Sequence, residues 1–297
     1  MLDTTKAKKA LRKDFQWGGL GKELVDKLLD NSKWSIQMVS APKAKSAEVL
    51  SKIGGFPNLP SDIEWPIYQG EPMAFIAQMD LAEIPNAKDF GLPSKGVLFF
   101  FYDSNQSWGF SKTNAGAAQV IYVEERSLIP HKAKIIKKYI KDVWDSYKII
   151  TKEKKILFVP ELMLPTYSDV DWDSFDVDDD TGYEYSYGWG SHIRSDHWLF
   201  GFADRIQSRD PLSEGYRASL KEIEAARSAE PENLDGISVD VRSDPKDWVL
   251  LAQFGSDYRR GTEEMMWGDC GKIYFIIHRL DYAKKDFRRV WVVLQCS

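Results

Sequence analysis

One apolar pattern occurs twice in this chain, and it constrains the fold more than any other feature. Met73-Ala-Phe-Ile-Ala-Gln-Met-Asp80 leads, through a turn-rich stretch, to Gly96-Val-Leu-Phe-Phe-Phe-Tyr102. Trp248-Val-Leu-Leu-Ala-Gln-Phe-Gly255 leads in the same way to Gly271-Lys-Ile-Tyr-Phe-Ile-Ile277. The glutamines are separated by 253 − 78 = 175 residues and the glycines by 271 − 96 = 175. Each copy reads as strand, loop, strand. Two strands alone bury too little to be stable in water, so the copies are expected to face each other across one shared core. A weaker echo links Gly55-Phe56-Pro57 with Gly201-Phe202-Ala203, upstream of each hairpin.

Composition sets the outer limits. A chain of 297 residues, 43% hydrophobic and 13% aromatic, can bury a substantial core in one large domain or two ordinary ones. Eleven Trp, thirteen Tyr and fifteen Phe favour half-buried strands over helices. No apolar run approaches the roughly 18 residues of a spanning helix, and Met1–Ala10 lacks the apolar core of a secretory signal, so the expectation is a cytoplasmic protein with no membrane contact. Cys270 and Cys296 are expected to be free thiols. The formal net charge of −5 argues against gripping nucleic acid by its phosphates.

Helical spacing of Leu11, Phe15, Leu20, Leu24 and Leu28 predicts two short helices within residues 1–31, separated by Gly18-Gly19, with a strand at Trp34–Val39. Gly54–Pro60 reads as a rigid loop. Strands are expected at Ala74–Asp80, Val97–Asp103, Gln119–Glu124, Ile156–Val159, Trp248–Phe254, Lys272–His278 and Val290–Gln295, with a helical turn at Asp281–Arg289. His131–Tyr147 reads as an amphipathic helix with a lysine-rich back, and Leu212–Ala229 as another, opened by Asp210-Pro211. Between them Pro160–Asp180 reads as a loop.

Several stretches together carry a family resemblance. They are Gly54-Gly-Phe-Pro-Asn-Leu-Pro60, Trp65-Pro66, Pro72–Leu81, Leu92-Pro93, Gly96–Tyr102, Trp267–Phe275 and Trp291–Gln295. The chain resembles the YwqG-like family of bacterial proteins (domain of unknown function 1963) over roughly residues 45 to 297. The resemblance implies a β-rich α+β fold with internal duplication and names no activity. Some members look like neighbours of toxin–immunity loci, which implies an immunity-like role. One departure is visible: Ala203 stands where the second Gly-aromatic-Pro motif usually has Pro.

The expected architecture is therefore α+β and β-rich: internally duplicated antiparallel sheets with peripheral helices. Residues 1–45 form an N-terminal helical extension, and 46–297 a single domain. That domain comprises two pseudo-repeats, about 46–130 and 195–297, joined by a helix and an acidic loop.

Two surfaces are candidates for function. The segment Tyr167–Trp189 interleaves acids with aromatics, and Asp169–Glu184 contains no Lys or Arg. Trp172, Asp176, Asp178, Asp179, Asp180 and Tyr185 are the residues expected to capture a basic protein partner, because Tyr and Trp supply contact area at low entropic cost and opposite charge speeds encounter. The alternative is a small-molecule-binding or hydrolytic site between the repeats, lined by Gln78, Gln253, Trp267 and Asp269. Gln has no acid–base chemistry, so the pair either binds a ligand or holds backbone at a sheet junction.

No catalytic residue is assigned: no Walker loop, dinucleotide fingerprint or nucleophile elbow is present, and no triad can be assembled from spacing. No metal site and no cofactor are expected. His192 and His197 flank Asp196 without zincin spacing. Asp169–Asp180 imitates a calcium loop but has Ser174 at its sixth position and Asp at its twelfth. The resulting expectation is a non-enzymatic binding protein.

Overall fold

The computed structural model describes residues 1–15, 17, 19–60, 62–124, 151–175, 177, 179–219, 245–259 and 262–297. The predicted helix at 131–147, and residues 220–229 of the second, lie outside the described residues; residues 211–219 are helical. The fold is α+β and dominated by one antiparallel sheet of ten strands. In chain order these are β1 (Lys33–Ser40), β2 (Lys52–Ile53), β3 (Ala74–Asp80), β4 (Val97–Tyr102), β5 (Ala118–Val123), β6 (Lys154–Met163), β7 (Trp198–Phe200), β8 (Trp248–Gly255), β9 (Lys272–His278) and β10 (Trp291–Gln295). Their spatial order is β5-β4-β3-β2-β6-β1-β7-β8-β9-β10. Two small hairpins, Ile67–Tyr68 with Glu71–Pro72 and Asp257–Arg259 with Thr262–Met265, lie outside it.

The two copies of the repeated pattern pair in the same register. Phe75 faces Phe101, the ladder slips by one residue, and Ala77 then faces Phe100. In the second hairpin Leu250 faces Ile276, the same slip follows, and Ala252 faces Phe275. All eight positions obey the 175-residue offset. The stretch 1–45 supplies two helices, α1 (Thr4–Asp14) and α2 (Lys22–Asp30), and also β1, which lies in the middle of the sheet between β6 and β7.

Period-two alternation divides the core. Leu98 and Phe100 of β4, with Ile273, Phe275 and Ile277 of β9, point into one buried cluster. There the hairpins meet: Phe100 contacts Phe254 and Phe275 edge-on, at centroid distances of 5.6 and 5.3 Å. The opposite face of β4, bearing Phe99 and Phe101, is covered by the Leu59–Met73 segment. The opposite face of β9, bearing Tyr274 and Ile276, packs with α1, α2 and the acidic segment's helix.

The two outermost strands are tied rather than left open. Leu294 N–H of β10 donates to Trp108 O at 3.0 Å, and Trp291 Nε1–H to Gly109 O at 2.8 Å. Tyr122 of β5 contacts Phe287 at 6.0 Å. Covering the edges in this way blunts their tendency to pair with other chains.

The predicted strands are present, most within one or two residues of the expected ends. The largest difference is β6. Pro160 argues for ending the strand there, yet β6 continues to Met163. Beyond Lys155 its second neighbour, β2, has already ended, so the missing Pro160 N–H faces no ladder partner while β1 pairs the other edge. The loop predicted over Pro160–Asp180 is thus corrected: its start is strand, short 3-10 turns occupy Tyr167–Asp169 and Trp172–Ser174, and its end opens a helix, α3 (Asp179–His192).

Candidate functional site

The acidic segment folds as turns leading into α3. Glycines at 182, 188 and 190 weaken helix propensity, so packing must compensate. Tyr185 and Trp189, four residues apart, turn inward together. Tyr185 O–H donates to Pro165 O at 2.6 Å, and Trp189 Nε1–H to Leu164 O at 3.0 Å. Phe15 of the α1 C-cap contacts Tyr185 at 5.7 Å. Burial, reinforced by Asp169, pushes the Tyr185 hydroxyl far above its ordinary pKa, so it stays protonated and donating.

The opposite face of α3 is open. Tyr183 and Tyr187, also four apart, are 63% and 81% exposed. With Ser186, Gly190 and Ser191 they border a shallow cleft of about 300 Å³. Tyr167, 40% exposed, stacks on Trp172 at 5.4 Å and lies parallel to Tyr183 at 6.3 Å. A Cβ at Gly182 would sit 2.8 Å from the Tyr167 ring, so glycine is what lets that ring lie against the helix. Asp171, Asp173, Asp180 and Glu184 are exposed around this aromatic row. Asp169 is committed internally, accepting from Thr166 Oγ1 at 2.6 Å and pairing with Arg205 at 2.9 Å.

Of the six residues predicted for partner capture, Asp180 is exposed and Trp172 half-buried in the ring stack. Tyr185 is corrected: it is fully buried and anchors the helix. Asp176 and Asp178 lie outside the described residues; Asp179 opens α3. Tyr183 and Tyr187, absent from the predicted set, provide the open face. Their signal was the spacing: 185 and 189 share one side of a helix, 183 and 187 another.

The four residues predicted to line an inter-repeat site do not form one. Gln78 and Gln253 are both fully buried. Gln78 Oε1 accepts from Asn58 N–H at 2.7 Å, and its Nε2–H donates to Leu50 O at 2.9 Å. Gln253 Oε1 accepts from Asp204 N–H at 2.9 Å, and its Nε2–H donates to Asp196 O at 3.4 Å. Each amide ties two backbone segments to the sheet: Leu50 and Asn58 in one half, Asp196 and Asp204 in the other. Trp267 is buried against Tyr102 at 5.8 Å, while Asp269 is exposed on the turn before β9.

The histidines part company. His192 closes α3, 3.6 Å from Glu161. His197 Nδ1 accepts from Gly255 N–H at 3.1 Å, which places the ring proton on Nε2. Burial holds its pKa down to about 4; Lys154 and Lys272 push the same way against Asp196. Among the described residues no three of His, Cys, Asp and Glu gather closely enough to hold a metal ion, and no helix is long and apolar enough to cross a membrane.

No curated protein matches this chain. A family model described as Domain of unknown function (DUF1963) matches residues 51–296, from just before β2 to the end of β10, and the chain therefore belongs to that family.

Proposed function

We propose that this chain is a non-enzymatic, cytoplasmic binding protein, immunity-like in kind, that captures a basic protein through the acidic-aromatic face of α3. The carrying observation is the pair Tyr183 and Tyr187, held open to solvent beside Asp180 and Glu184 on a helix anchored from its other side by Tyr185 and Trp189. Exposed rings bordered by carboxylates suit Arg and Lys side chains, which stack on aromatic faces and pair with the acids. Anchoring the helix keeps the rings presented, which lowers the ordering cost of association.

Affinity capture from the native host tests this reading. Tyr183→Ala with Tyr187→Ala, and separately Asp180→Asn with Glu184→Gln, are expected to release a specific basic partner while leaving folding intact. Retention of every specific partner by both variants would place binding elsewhere.

A further inference from the structure

A second cavity, of about 390 Å³, opens at the centre of the sheet, walled by β1, β2 and β6 together with residues 194–197 and 256–257. The strand registers place it opposite a filled site in the first half. Lys52 faces Gln78 and Trp198 faces Gln253, so residues 50–53 and 196–199 occupy matching places. The match extends to single bonds: Asp80 N–H donates to Ser51 Oγ at 2.9 Å, and Gly255 N–H to His197 Nδ1 at 3.1 Å.

In the first half the Glu83 carboxylate closes this place, accepting from Leu50 N–H and Ser51 N–H at 2.9 Å each. The matching amides in the second half belong to Asp196 and His197, on the cavity wall. There the His197 N–H bonds Ser195 Oγ at 3.1 Å. Glu83 itself has no carboxylate counterpart, because Tyr258 stands at 83 + 175 = 258, preceded by Asp257 on the cavity wall. Where the first half then continues with buried Leu81, the second has Ser256. One half supplies its own carboxylate; the other leaves a polar cavity.

We infer that this cavity binds a small zwitterion of the α-amino-acid class, its carboxylate taking the place that Glu83 fills in the first half and its ammonium meeting Asp257 and Asp196. The charged wall favours a dipolar ligand over a simple ion. The wall carries Lys154 and Arg194 as well as Asp196 and Asp257: Lys154 pairs with Asp257, Arg194 lies 3.5 Å from Glu161, and Asp196 lies 3.9 Å from Lys272. A ligand of one sign would bring its charge against like charge in a partly desolvated site, whereas a zwitterion meets opposite charge at both ends. Met38 and Ile156 offer apolar wall to a side chain.

The test is saturation-transfer NMR with each of the twenty standard α-amino acids, followed by calorimetric titration of those that bind. The methyl ester and the N-acetyl derivative of each binder, which retain one charge apiece, serve as controls. At least one amino acid is expected to bind, each blocked form at least tenfold more weakly, and Ser195→Trp, which fills the cavity from a half-buried loop position, to abolish binding. Asp257→Asn is expected to weaken binding at least fivefold; if that variant does not fold, Ser195→Trp decides. The inference is overturned if no amino acid binds, if either blocked form binds as well as its parent, or if Ser195→Trp leaves binding unchanged.

Discussion

The two halves of the sheet agree in their frame and diverge at their surfaces. Gln78 and Gln253 accept from the N–H groups of Asn58 and Asp204, which follow Gly55 and Gly201, both in left-handed conformation at φ 68° and 75°. Ser51 O accepts from Ile156 N–H of β6, and His197 O from Met38 N–H of β1, so each half clasps one of the two central strands. The copies keep the bonds that hold backbone and change the residues around them: Ser51 against His197, Leu81 against Ser256, and no counterpart to α3 among the described residues of the first half. The difference teaches that in this chain the repeated residues hold the sheet, and the unrepeated ones are where binding is to be sought.

The largest effects should follow from breaking the shared frame. Gln78→Leu strands two half-buried backbone groups, Asn58 N–H and Leu50 O, and is expected to cost about 3 kcal/mol; Gln253→Leu, whose Nε2 bond is long at 3.4 Å, about 2 kcal/mol. Denaturant unfolding of both variants would check the order. Gly54→Ala is next. Its φ is 66° and a Cβ would lie 2.5 Å from Lys152 O, so a loss of about 2 kcal/mol is expected. Phe200 holds the matching place at φ 60° with a side chain stacked on Phe90 at 5.3 Å. Phe200→Gly should therefore change stability by only about 1 kcal/mol, strain relief offsetting lost packing.

His197 sharpens the comparison through pH. Its folded pKa of about 4 lies below its ordinary 6.5, so the unfolded chain binds the extra proton first. Its contribution to stability is complete above about pH 6.5 and is lost as pH falls toward 4. The groups facing it are Asp196, Lys154 and Lys272. His197→Gln keeps an acceptor for Gly255 N–H without the titration, and the pH dependence of its unfolding free energy should be flatter than wild type by on the order of 2 kcal/mol across that window. Smallest is the stability effect of Tyr183→Ala with Tyr187→Ala, expected within about 0.5 kcal/mol because both rings face water.

Much of this architecture was legible in the repeated residues themselves. Short, nearly continuous apolar runs bounded by turn residues located β3, β4, β8 and β9, because both faces of these strands are buried. β6 escaped because the effect of Pro160 depends on which neighbouring strand has ended, a tertiary fact. Helix α3 escaped because Gly182, Gly188 and Gly190 argue against a helix that inward anchoring by Tyr185 and Trp189 sustains. For the candidate surface, composition marked a segment that presents exposed aromatics, Tyr183 and Tyr187, and chose Tyr185 from its buried side. Helical spacing separates the two sides once the helix is known.

The most direct measurement is hydrogen exchange on this chain alone and in complex with the basic protein recovered by affinity capture. Slower exchange centred on residues 179–192 in the complex, with β3 and β8 unchanged, is the result expected if α3 is the capturing face. Protection centred away from α3, with 179–192 exchanging as in the free chain, would contradict it.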